Sequence, residues 1–367
     1  MDENVTTKIE LQPTAASTDN STTDRLYHSP FMRACRREPV PYTPVWLMRQ
    51  AGRYMREYRE VRARTTFLEL CKTPDLAAEV TVYAAERLGV DAAIIFADIL
   101  LILEPMGLDL EFAKGEGPVI HNPVRTAQDV DRMREVETID SLDYVMQAIR
   151  TTRRALKADL PLIGFAGAPF TLASYIIEGG SSKNYIHTKR LMYTDGGAWH
   201  ALMSLISRAL IRYLNAQITA GAQAVQLFDS WVGCLSPDDY REYVLPHVRN
   251  VIRGVTPGTP VIHFGTGTAT LLELQREAGG DVLGLDWRIP LDEGWRRIGA
   301  DVSIMGNLDP VSLFAGIEHV RRETQQILAR ANGRDGHIFN LGHGILPETP
   351  VDTVIALVDA VHEMSRR

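Results

Sequence analysis

The chain has 367 residues, a net charge of −7, 45% apolar and 23% charged side chains, which excludes collagen, wholesale disorder and a disulfide-stapled mini-protein. The acidic balance argues against a broad nonspecific nucleic-acid surface. Three cysteines, Cys35, Cys71 and Cys234, lie far apart, which suits a reducing cytosol and offers no metal-ligand spacing.

Residues 1–26 are rich in Thr, Ser, Asn and Asp and open with acidic residues. A secretory leader needs a basic start and an apolar middle, so this stretch reads as a disordered tail and the protein as cytoplasmic. Beyond it, strand-length apolar runs alternate with amphipathic stretches. Pro44 to Met48 is a short apolar run that ends in arginines. Pro74 to Leu88 predicts a helix, with Pro in its first turn and Gly89 as its stop. Asp91 to Asp98 reads as a buried strand, and residues 108–124 as a hairpin punctuated by Gly and Pro. The run from Ala92 to Met106 is broken by Asp98, Glu104 and Pro105, so no membrane span is expected.

Further along, helices are predicted over Asp140–Ala158, Trp199–Ala220, Asp238–Val255, Thr270–Ala278, Leu291–Ile298, Pro310–Ala331 and Pro350–Met364. Strands are predicted over Pro161–Gly167, Gln223–Phe228, Pro260–Phe264, Asp281–Asp286, Val302–Gly306 and Ile338–Leu341. Continuous apolar strands, each followed by a helix, mean a parallel sheet covered by helices. No GxGxxG follows the first strand, as an open dinucleotide-binding sheet requires. The expected architecture is a single α/β domain, a (β/α)8 TIM-type barrel over residues 27–367. Its cleft would lie at the carboxyl ends of the strands, where Arg49, Asp98, Gly167, Asp229-Ser230, Gly265, Asp286, Asn307 and His343 fall.

Residues 48–64 hold six arginines and only Glu57 and Glu60 as counter-charges. Arginine's planar fork suits carboxylates. Arg56, Arg59 and Arg64 read as a solvated helix face paired with those glutamates. Arg49 and Arg53 stand directly after a strand, around Ala51-Gly52, and read as functional. Asp98, between two apolar runs, needs a partner or a ligand, and its position alone leaves a cap and a binding role equally open. His343 is bracketed by Gly342 and Gly344 and faces the expected cleft. The hydroxyls of Tyr175 and Ser230 would not be chosen on chemistry alone, and no Ser-His-Asp triad can be built from them.

Taken together, several blocks resemble the uroporphyrinogen decarboxylase family. They are Trp46-Leu47-Met48-Arg49-Gln50-Ala51-Gly52-Arg53-Tyr54, Ile95 to Leu100 (IFADIL), Gly164 to Gly180 (GFAGAPFTLASYIIEGG) and Gln226 to Gly233 (QLFDSWVG). They continue through Gly284 to Trp287 (GLDW), Met305 to Pro310 (MGNLDP) and Asn340 to Pro347 (NLGHGILP). The resemblance runs from about residue 28 to the end and implies a (β/α)8 barrel. It also implies removal of carbon dioxide from all four acetates of uroporphyrinogen III, giving coproporphyrinogen III in haem biosynthesis, without metal or organic cofactor. Carried over residue by residue, Asp98 would accept pyrrole N–H groups, and Arg49 and Arg53 would grip carboxylates. Tyr175, Ser230 and His343 would bind substrate, and Phe228 would pack against the macrocycle. The family implies a homodimer, with the tetrapyrrole as the small-molecule partner. The alternative within the same superfamily is a zinc-dependent corrinoid methyltransferase. It needs a His-x-Cys pair, and here Gly265 stands where that cysteine should follow His263.

Overall fold

The structure is a computed structural model and describes residues 20–113 and 117–367. The expected tail lies outside the described residues as far as 19. Its last part, from Asn20, already belongs to a helix that ends at Tyr27.

Nine strands occur among the described residues. Seven form one parallel sheet: Ala93–Ile94 (β1), Leu162–Gly167 (β4), Ala224–Asp229 (β5), Val261–Gly265 (β6), Val282–Gly284 (β7), Ser303–Met305 (β8) and His337–Ile338 (β9), side by side in that order. The other two, Leu110–Ala113 (β2) and Gly117–Ile120 (β3), are the expected antiparallel hairpin, with Leu110 opposite Ile120. Neighbours in the large sheet are also consecutive in the chain once the hairpin is set aside, so each crossover adds the next strand at the same edge. β4 and β6 are buried at every position, which is why they read as continuous apolar runs.

Pro44 to Met48 does not form a regular strand. Instead the Phe339 N–H donates to Pro44 O (2.8 Å) beyond β9, while the Asp91 N–H donates to Val45 O (2.8 Å) just before β1. One short segment therefore bonds to both margins of the sheet, which curls to bring them there. Asp91 secures it: its carboxylate accepts the Val45 N–H (2.8 Å) and the Tyr42 hydroxyl (2.9 Å).

The helix Pro74–Leu88 forms as its signals dictate, with Pro74 in the first turn, Asp75 beside the N-terminal dipole and Gly89 closing it at φ 67°. Other expectations shift. The helix predicted over 238–255 is interrupted by a π-type turn at Tyr240–Val244, which ends two residues before Pro246, whose ring nitrogen cannot continue the ladder. The stretch 310–331 divides into a 3-10 turn (Pro310–Phe314) and a helix (Ile317–Ala331), parted by Gly316 at φ 86°. No helix among the described residues is long and apolar enough to cross a membrane.

Candidate active site

The turn after Pro44–Met48 is built to present arginines. Arg49 takes the left-handed conformation, φ 62°, which few non-glycine residues adopt without a reason. Gln50, fully buried, locks the turn: its Oε1 accepts the Leu47 N–H (3.2 Å) and its Nε2 donates to Ala92 O beside β1 (3.3 Å). The Tyr54 hydroxyl donates to Gln50 O (2.7 Å). Arg49 and Arg53 are both left exposed. Among the described residues neither has a carboxylate within ion-pair distance.

The neighbouring arginines divide differently from the sequence reading. Arg56 does pair with Glu57 and Glu60, each at 3.5 Å. Arg59 does not: its guanidinium donates to the carbonyls of Arg53 (2.8 Å) and Tyr54 (2.9 Å), so it braces the turn that carries Arg53. Arg64 reaches the Glu60 carbonyl rather than a carboxylate.

Asp98 follows β1 and is half-buried, with Oδ1 accepting the Leu100 N–H at 2.8 Å. Burial pushes its carboxyl from an ordinary 3.8 up to about 6, against the pull of that N–H and of the Arg49 charge. Arg49 is thus close enough to be felt by Asp98, yet the two do not close into an ion pair. Tyr175, on the helix Pro169–Glu178 that follows β4, also senses both charges, and burial holds its phenol well above the usual range. Its ring stacks on Trp231 with centroids 3.8 Å apart.

His343 joins the same group. Its Nδ1 accepts the Gly344 N–H (2.8 Å), and burial together with the Arg49 charge lowers it to about 4, so the imidazole is neutral at physiological pH. The flanking glycines have separate causes. A Cβ on Gly344 would lie 2.4 Å from Arg49 Cδ, and one on Gly342 would lie 2.5 Å from the Trp287 backbone nitrogen. Gly344 therefore clears the path of Arg49, and Gly342 lets two backbones pass.

Phe228, near the end of β5, is half-buried and meets Phe165 of β4 (5.5 Å) and Phe264 of β6 (6.1 Å) edge to face. These three rings make an apolar floor at the carboxyl ends of adjacent strands. Ser230, half-buried, lies one residue past β5 and next to Trp231. Arg49, Asp98, Tyr175 and His343 are brought together. Arg53 shares the Arg49 turn without a direct link to Asp98.

Three features were given no role in the sequence reading. Trp231, which stacks on Tyr175, carried no signal beyond its place in QLFDSWVG. Asp286, buried after β7, accepts the Gly267 N–H (2.6 Å) and the Arg288 guanidinium (2.5 Å), tying the loop after β6 to the loop after β7. Asp229, fully buried at the end of β5, accepts the Thr171 hydroxyl (3.0 Å), and burial pushes it up to about 7. His263 faces the helix layer, with its Cβ against Gly280, and burial lowers it to about 4. Among the described residues no three His, Cys, Asp or Glu side chains gather as metal ligands would.

Comparison with known proteins places this geometry. The family model described as uroporphyrinogen decarboxylase matches residues 27–364. A uroporphyrinogen decarboxylase of Sorangium cellulosum is 61% identical over 340 residues, covering 92% of this chain and 97% of the relative. One from Carboxydothermus hydrogenoformans is 59% identical over 336 residues, covering 91% and 96%. Among solved structures, a methyltransferase from Methanosarcina mazei superposes with TM-score 0.74 at 22% identity, covering 91% of this chain and 97% of that one. A B12-independent methionine synthase from Shewanella follows at TM-score 0.56 and 9% identity, covering 79% and 87%. Those two likenesses are of fold alone. Matched from residue 27 nearly to its end and more than half identical to several relatives, the chain belongs to the uroporphyrinogen decarboxylase family.

Proposed function

We propose that this protein is a uroporphyrinogen decarboxylase that converts the four acetates of uroporphyrinogen III to methyl groups, giving coproporphyrinogen III. The observation that carries the reading is the meeting of Arg49, Asp98, Tyr175 and His343, drawn from four distant segments, around one arginine charge without an ion pair. A polyanionic ligand needs such an unspent cation inside an acidic protein.

Each acetate removed consumes one proton and releases one carbon dioxide, four of each per substrate molecule. Direct loss of carbon dioxide from a pyrrole acetate would leave an unstabilised carbanion. Protonation of the adjacent ring carbon makes the ring an electron acceptor, so the electrons of the breaking C–C bond have somewhere to go. The exocyclic methylene left behind then takes a proton to become the methyl, and the ring carbon gives up the one it had gained. The ionised Asp98 is the group to accept the pyrrole N–H atoms and offset the cation as it forms. Arg49 and Arg53 hold carboxylates and fix the reacting acetate. Tyr175, Ser230 and the neutral His343 add hydrogen bonds, and Phe228 packs against the macrocycle. A guanidinium is too weak an acid to be the natural proton source. The chemistry calls on neither metal nor organic cofactor.

The segment Pro44–Met48 serves in this reading as the eighth position of a closed (β/α)8 barrel, and residues 27–367 as one domain. The bonds from that segment to both sheet margins support it. The family also supports a homodimer working in the cytoplasm. The test is direct: purified protein is incubated with uroporphyrinogen, and the carboxyl number of the product is followed by chromatography. Products with seven to four carboxyls are expected, and unchanged substrate would refute the assignment.

A further inference from the structure

Behind the Ser230 turn lies a buried hydroxyl whose direction is set on both sides. The Thr171 hydroxyl donates to Asp229 Oδ1 (3.0 Å), which leaves its lone pairs to accept the Trp231 N–H (3.3 Å). Thr171 and Asp229 are both fully buried, on the helix side of β5. Trp231 then lays its ring on Tyr175, one helical turn beyond Thr171 and on the same face of the helix. Ser230 is consequently held between two fixed neighbours. The arrangement is costly. The second oxygen of Asp229 has no hydrogen-bond partner, and neither does the buried hydroxyl of Tyr240, which feels the Asp229 charge. A fold built only for stability would not bury a carboxyl on one hydroxyl, and such violations collect where function needs them.

We propose that Asp229 and Thr171 are positioning residues, a rigid pair behind the cleft that sets Ser230 and Tyr175 for the substrate's carboxylates. The inference rests on the decarboxylase reading and names parts of its site that touch no substrate themselves. Thr171→Val removes the hydroxyl at nearly constant volume, so the Trp231 N–H loses its acceptor and Asp229 its donor. Turnover of uroporphyrinogen should fall about tenfold in kcat/KM, chiefly through KM, and Thr171→Ser should restore most of it.

A double-mutant cycle separates positioning from general damage. If Thr171 acts through Ser230 and Tyr175, adding Thr171→Val to a Ser230→Ala/Tyr175→Phe enzyme loses no more than that double variant alone. Losses that multiply, or a Thr171→Val enzyme with normal KM, would overturn the inference. Thr171→Ala runs through the same cycle should the valine variant not fold. Wild-type protein that leaves uroporphyrinogen unchanged would instead bring down the decarboxylase reading, and this inference with it.

Discussion

Asp98→Asn separates the two roles a half-buried carboxylate can have. Asparagine keeps an oxygen for the Leu100 N–H, so the cap is conserved and only the charge is lost. Holding Asp98 at about 6 rather than 3.8 means that ionising it in the folded protein costs up to about 3 kcal/mol. Its partial exposure brings that to ~1–2 kcal/mol. The sign follows from linkage. A carboxyl raised in the fold subtracts stability, and the penalty is absent below about pH 4, grows through pH 6 and is complete above it. The asparagine variant should therefore be more stable than wild type at pH 7.5 and equal to it near pH 4. Turnover should move the other way, down by roughly 2–4 kcal/mol in the barrier, as when one preorganised electrostatic contact is removed. Urea titrations at the two pH values and the chromatographic assay read both effects. An asparagine variant less stable at pH 7.5, or one with normal turnover, would make Asp98 a structural cap and refute the argument.

Arg53→Lys keeps the charge but loses the bidentate fork, and should reduce kcat/KM by about tenfold or more in steady-state assays. Arg59→Lys cannot span the carbonyls of Arg53 and Tyr54 equally well, so a smaller loss, threefold or so, is expected where a surface arginine would show none. Exhaustive chelation should leave the turnover rate unchanged, and activity that vanishes and then returns with zinc would contradict the cofactor-free chemistry.

Much of this was legible in the chain because local signals agreed with the tertiary outcome. Pro74, Asp75 and Gly89 bound their helix without help from any neighbour. The helix Pro169–Glu178 escaped notice because it is apolar nearly all round and gives no 3.6-residue stripe. The arginines and Asp98 could be found at strand ends, since polar residues after apolar runs stand out. Asp229 stood out there too, but its bond to Thr171 did not, because it joins residues 58 apart in the chain and only register brings them together. The role of Arg59 was misread for a related reason: the sequence offered glutamates at helical spacing, while the fold offered two bare carbonyls at a tight turn.

The glycines around His343 permit a sharper separation of placement from charge. Gly344 has no left-handed requirement, so alanine there strains no backbone, and its new methyl meets only the Arg49 side chain, at 2.4 Å from Cδ, 2.7 Å from Cγ and 2.9 Å from Nε. Arg49 is rooted at φ 62° and cannot retreat by turning its backbone, so the guanidinium must swing aside with its charge intact. Gly342→Ala is different: its methyl meets the Trp287 nitrogen at 2.5 Å and the Asp286 carbonyl carbon at 3.0 Å, which are main-chain atoms that cannot swing. The first substitution should raise KM for uroporphyrinogen about tenfold with Tm nearly unchanged, and the second should cost roughly 1–3 kcal/mol of stability. If charge alone attracts the substrate, Gly344→Ala will bind as wild type does. If the position of Arg49 matters, it will bind as weakly as an Arg49→Lys variant, although every residue that contacts the ligand is still present.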